Sequence, residues 1–87
     1  MEPFYFRSYD KIIATANNVN ELLDAMEKLS SSNPESLKYH VANKDIYNWL
    51  NYINEKKLAT KLRNTKDPKK AIASIKNYLN PKPKKQL

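Results

Sequence analysis

Leu37-Lys38-Tyr39-His40-Val41, continued after Ala42-Asn43-Lys44 by Asp45-Ile46-Tyr47-Asn48-Trp49-Leu50-Asn51-Tyr52-Ile53, is the stretch whose reading decides the fold. It holds the single histidine, the single tryptophan and three of the six tyrosines. Ile46, Trp49, Leu50 and Ile53 follow the i, i+3, i+4, i+7 pattern of an amphipathic helix, so they belong on one buried face. Leu37, His40 and Val41 share the face of a preceding helix. Asn33 followed by Pro34 starts that helix, since asparagine caps well and proline at the first helical position forfeits no hydrogen bond. Asp45 is expected to cap the helix that carries Trp49.

Working outward, Asn18 with Glu21 three residues later suits a capping box, opening a helix whose stripe is Leu22, Met26 and Leu29 and whose end is expected near Ser30. Towards the N-terminus, Phe4-Tyr5-Phe6-Arg7 and Ile12-Ile13-Ala14-Thr15 flank the polar turn Ser8-Tyr9-Asp10-Lys11, which reads as a β-hairpin. Phe4 and Phe6 lie two residues apart and therefore on one face, which must rest on helices because a lone hairpin is marginal in water. Towards the C-terminus, Leu58, Ala59 and Leu62 mark a helix restarting at Asn54. Asp67-Pro68 opens a last one with Ala71, Ile72, Ile75, Tyr78 and Leu79. The expected fold is mainly α, with an α+β start: a short hairpin followed by about five short helices in an orthogonal array. The compact domain is expected over 1–79. The stretch 80–87, with prolines at 81 and 83 and three lysines, should be a flexible basic tail.

Composition narrows the functional classes. Eighty-seven residues make one domain that buries only about 60 to 65% of its unfolded surface. Cysteine is absent, so no disulfide or thiolate metal site is available, and a reducing, cytoplasmic setting is expected. The first residues are too polar and aromatic for a signal peptide, and no apolar run reaches the length of a membrane span. Glycine is also absent, which rules out glycine-rich phosphate loops and dinucleotide fingerprints. No cofactor is implied.

The charge is divided unevenly. Residues 1–55 carry five lysines and arginines against eight acids, whereas residues 56–87 carry eleven against Asp67 alone. Such asymmetry is the footprint of contact with a polyanion, although a lysine-rich solvated face is the plainer reading. The cluster is Lys56, Lys57, Lys61, Arg63, Lys66, Lys69, Lys70, Lys76, Lys82, Lys84 and Lys85. With ten lysines to one arginine it favours point-charge contact with phosphates over bidentate reading of bases, so DNA or RNA would be bound with little sequence preference. The helices over 45–53 and 54–63 have the outline of a helix-turn-helix, without the glycine common in its turn. An anionic membrane surface would attract the same lysines, but no apolar face is left over to insert.

Histidine is the side-chain type whose unperturbed pKa lies near neutrality, and His40 invites pairing with Glu35, Tyr39 or Asp45. No serine or cysteine nucleophile sits in a recognisable motif and no second histidine exists for a metal, so His40 is read as a packed residue and the chain as non-enzymatic. Trp49 and Ile53, which could stack a base, have the spacing of core residues. Of the tyrosines, Tyr47 lies off its helix's stripe and is expected to be the most exposed. The alternative function is a protein-interaction or regulatory module, including head-to-tail self-association of acidic and basic parts.

Phe4-Tyr5-Phe6, Asn20-Glu21-Leu22, Leu37-x-Tyr39-His40, Asp45-Ile46-x-x-Trp49-Leu50 and Leu58-Ala59 together resemble a small domain of unknown function in archaeal and some bacterial proteins, with a YH…WI…LA signature. The likeness spans about 4–79. It implies a compact domain of prokaryotic, archaeal origin and no particular activity. The chain departs from it in lacking a glycine before the Leu-Ala pair and in its basic end.

Overall fold

The computed structural model describes residues 2–81. A two-stranded antiparallel hairpin, β1 (Phe4–Ser8) and β2 (Lys11–Ala16), precedes five helices: α1 (Val19–Ser32), α2 (Pro34–Ala42), α3 (Asp45–Tyr52), α4 (Lys56–Leu62) and α5 (Pro68–Leu79). The hairpin-plus-helices reading is therefore correct. The tail over 80–87 falls, from residue 82 onward, outside the described residues.

The hairpin turn is tighter than the four residues expected. Ser8 pairs with Lys11, leaving Tyr9 and Asp10 as the loop, with Tyr9 in the left-handed region at φ 58°. Between Phe6 and Arg7 the register slips: Phe6 faces Ala14 but Arg7 faces Ile12, so β2 carries Ile13 as an extra residue. The bulge changes which side each residue serves. Phe4, Phe6 and Ala16 are buried, while Ile12, past the bulge, is 46% exposed. A one-residue slip sends a side chain to the opposite face of a ribbon, which accounts for this exposed isoleucine.

Asn18 caps α1 through the Glu21 N–H at 2.9 Å, but Glu21 does not reach back to Asn18. Its carboxylate instead accepts from the backbone and side-chain N–H groups of Asn17, which hold its pKa below the usual carboxylate value. The helix runs two residues beyond Ser30 because the hydroxyls of Ser30 and Ser32 bond back to the carbonyls of Glu27 and Lys28. Such local bonds let serine persist in a final turn. Asn33 then closes α1 with its N–H on the Leu29 carbonyl and opens α2 with its side chain on the Ser36 N–H. Asp67 caps α5 by accepting from the Lys69 N–H.

Asp45 is not the cap of α3. Lys44 occupies that position with φ 65°, and Asp45, in the first helical turn, spends its carboxylate on His40 and Asn43. Asn54, at φ 69°, makes the turn between α3 and α4.

The core gathers these elements around Phe6, Leu22, Met26, Leu37, Leu50, Leu58 and Ile75, all fully buried. At its hairpin end is an aromatic cluster. Phe4 and Phe6 meet edge to face at 4.7 Å, each 5.5 Å from the His40 ring, and Phe4 lies 5.8 Å from Trp49. Edge-to-face pairs of this kind add about 0.5–1.5 kcal/mol beyond the area they bury. Trp49 is buried, and its indole N–H donates to the Glu2 carbonyl at 3.0 Å. Among the described residues no helix is long and apolar enough to cross a membrane.

Candidate nucleic-acid interface

The cationic residues of the last third divide between two helices that pack on one another and the loop joining them. In α4, Leu58, Ala59 and Leu62 point inward, so Lys56, Lys57 and Lys61 are left on the solvent side and Arg63 follows at its C-terminus. In α5, Ala71 and Ile75 are the buried pair, and Lys69, Lys70 and Lys76 are exposed. Lys66 lies exposed in the loop. Lys82, Lys84 and Lys85 lie outside the described residues.

Little opposing charge stands nearby. Lys76 reaches across to Glu27 of α1 at 2.8 Å, while Lys56, Lys57, Lys61, Arg63, Lys66, Lys69 and Lys70 have no ion-pair partner among the described residues. The segment's one acid, Asp67, is occupied by its cap. Glu55, at the head of α4, accepts a 2.8 Å hydrogen bond from the Tyr78 hydroxyl, which, with burial and the carboxylate's charge, raises the phenol's pKa. Lys56 and Lys57 occupy the first turn of α4, and Lys69 and Lys70 that of α5, where neither helix has an acid. The unsatisfied N–H groups of a helix N-terminus already carry partial positive charge, so cations there are unfavourable for the helix and add to the local potential.

One cation absent from the sequence-based set joins this region. Lys44 donates from its ammonium to the Arg63 carbonyl at 2.8 Å and lies 5.6 Å above the Tyr47 ring. Its left-handed backbone turns it from the α2–α3 junction towards α4, which neither periodicity nor charge counting along the chain reveals. The same contact helps to correct the reading of Tyr47. That ring is half-buried and packed against the core, beside Val41, Leu62, Thr65 and Ala71. The exposed tyrosines are Tyr9, Tyr39 and Tyr52.

His40 is buried and fully engaged. Its Nε2 accepts from the Arg7 N–H at 2.9 Å, which places the ring proton on Nδ1, 2.8 Å from the Asp45 carboxylate. Ser36 lies one helical turn earlier and donates its hydroxyl proton to the Arg7 carbonyl at 2.6 Å. Serine, histidine and aspartate are thus neighbours, as in a hydrolytic triad, but the serine proton goes to a backbone oxygen and the histidine's acceptor nitrogen is taken by a backbone N–H. A general base needs that nitrogen free to take the nucleophile's proton. What the three residues do is fasten β1, at the position opposite the bulge, to α2 and α3. Among the described residues, no group of three or more potential ligands could hold a metal ion.

Comparison of the chain with protein-family models, with curated proteins and with solved structures finds no match.

Proposed function

We propose that this is a small, non-enzymatic, cytoplasmic protein that binds nucleic acid through the exposed cations of α4, α5 and the loop between them, with little sequence preference. One observation carries the reading: seven exposed cations without an ion-pair partner among the described residues, four of them in helix first turns. A merely solvated face would be expected to intersperse acids among its lysines, whereas here the acids are confined to the two N-cap positions, Glu55, bonded to Tyr78, and Asp67, bonded to the Lys69 N–H. The near-absence of arginine favours phosphate contact over base reading.

Binding measured by fluorescence anisotropy over a salt series tests this. With four to six phosphate contacts, log K should fall against log salt with a slope of roughly −4 to −5 on duplex DNA. Binding that is absent at low salt, or that ignores salt, overturns the proposal. Light scattering of the protein alone over the same series separates this behaviour from head-to-tail self-association, which would change the mass without any nucleic acid.

A further inference from the structure

Between the hairpin tip and α2 lies a cleft of about 600 Å³, within the size range of small-ligand sites. Its walls include Arg7, Tyr9, Glu35, Tyr39, Asn43 and Asp45, above a floor formed by the His40–Ser36 fastening.

The two tyrosines contribute little to the core. Tyr9 is completely exposed, and it occupies a left-handed turn position that bulky residues seldom take. Tyr39 is 60% exposed on a helix whose buried residues are Ser36, Leu37, His40 and Val41, and its ring stands edge-on to the His40 ring at 5.5 Å. The cleft therefore has an aromatic ring in its wall on the hairpin side and another on the helix side.

Its charge speaks against a phosphate. Glu35 and Asp45 carboxylates outnumber the Arg7 guanidinium around it, so a flat, neutral group with polar edges suits it better than an anion. Glu35 has no ion-pair partner among the described residues and can accept from an exocyclic amino group. The cleft is also joined to the cationic region. Asn43 and Asp45 at its rim bracket Lys44, whose ammonium sits on the Arg63 carbonyl at the end of α4.

From these observations we infer that the cleft receives an unstacked nucleobase, so that the preferred ligand is a single strand whose phosphates follow Lys44, Arg63 and the lysines beyond. This rests on the nucleic-acid reading given above and sharpens it from any polyanion to single strands. Aromatic rings stack on any base, and such stacking is sequence-tolerant, in keeping with a lysine-dominated surface.

The test compares three labelled probes at one salt concentration: a strand of about a dozen adenines, matched to common single-strand site sizes, a strand with the same phosphates but abasic sugars, and a duplex. The adenine strand should bind more tightly than the other two. Tyr39→Ala should weaken the adenine strand by roughly 5- to 150-fold, the range expected when one stacking partner is removed, and leave the abasic strand unchanged. Tyr39→Phe should retain the preference, and Tyr9→Ala should reduce it. Both rings are exposed, so the variants should melt like the parent. Equal binding of adenine and abasic strands, or equal weakening of both by Tyr39→Ala, overturns the cleft proposal while leaving the lysine surface standing. Failure of all three probes to bind overturns both.

Discussion

The first three helices and the last two differ in the charge of their first turns. α1, α2 and α3 each carry an acid in the first turn, Glu21, Glu35 and Asp45, whereas α4 and α5 carry two lysines each there, behind the acidic caps Glu55 and Asp67. An acid there stabilises a helix by about 0.3–1 kcal/mol and a cation does the reverse. Ser36 and His40 of α2 and Asp45 of α3 are bonded inward, towards Arg7 of β1 and one another, while the polar side chains of α4 and α5 largely face water. One part of the molecule ties its polar groups into its own structure, and the other leaves its cations to solvent.

The largest expected effect tests the first of these parts. Phe6→Ala removes a fully buried ring from the aromatic cluster and should cost about 3–5 kcal/mol in urea unfolding, a large fraction of what a domain of this size has to lose. If it costs under about 1 kcal/mol, the cluster is not where stability resides. On the other side of the comparison, Lys56→Gln, Lys57→Gln and Lys61→Gln combined should make the salt slope shallower by about 0.9 for each phosphate no longer neutralised. Stability should stay the same or rise by a few tenths of a kcal/mol as the cations leave the α4 first turn. A variant that binds as before with an unchanged slope would dissolve the distinction between the two parts.

His40→Leu conserves apolar bulk but strands the part-buried Arg7 N–H and leaves Asp45 with Asn43 alone, so stability should fall by about 1–3 kcal/mol. Hydrogen exchange at Arg7 should quicken accordingly. The smallest effects depend on pH. Glu21 is held below its ordinary pKa by Asn17, so its contribution is present above that ordinary value and disappears as pH falls through the folded-state one. Tyr78 has the opposite sign. With its pKa raised, the contribution is present below the ordinary tyrosine value and is lost as pH rises through the folded one. Unfolding curves of Tyr78→Phe and the parent should therefore converge in alkaline solution, where loss of the parent's hydrogen bond to Glu55 removes its advantage.

What was legible in the sequence was whatever local spacing controls. The stripes through Leu22–Leu29 and Ile46–Leu50, the asparagine and aspartate caps at 18, 33 and 67, and the pairing of Phe4 with Phe6 all depend on residues within one or two turns of each other. The bulge opposite Phe6 and Arg7 is not visible to local spacing, and neither is the bond from the Arg7 N–H to His40, 33 positions away, because no period encodes such a separation. The capping role expected of Asp45 failed for a related reason, since the nearby histidine and asparagine claim its carboxylate. Tyr47 was misjudged because a tyrosine beside a stripe can turn towards a neighbouring helix or away from it, and the third dimension decides. The lysine surface was legible from composition, but Lys44 joined it only through its backbone conformation.

The positive φ angles at Tyr9, Lys44 and Asn54 have a further consequence in a chain without glycine. Left-handed backbone costs an ordinary L-residue about 1–2 kcal/mol, less for asparagine. Glycine would relieve that strain in the native state, but it would also enlarge the repertoire of conformations open to the denatured chain. By accepting local strain at three turns, the sequence keeps its denatured ensemble narrower, which lowers the entropy lost on folding. Lys44→Gly is therefore expected to shift stability by less than the strain alone implies, because the two contributions oppose one another.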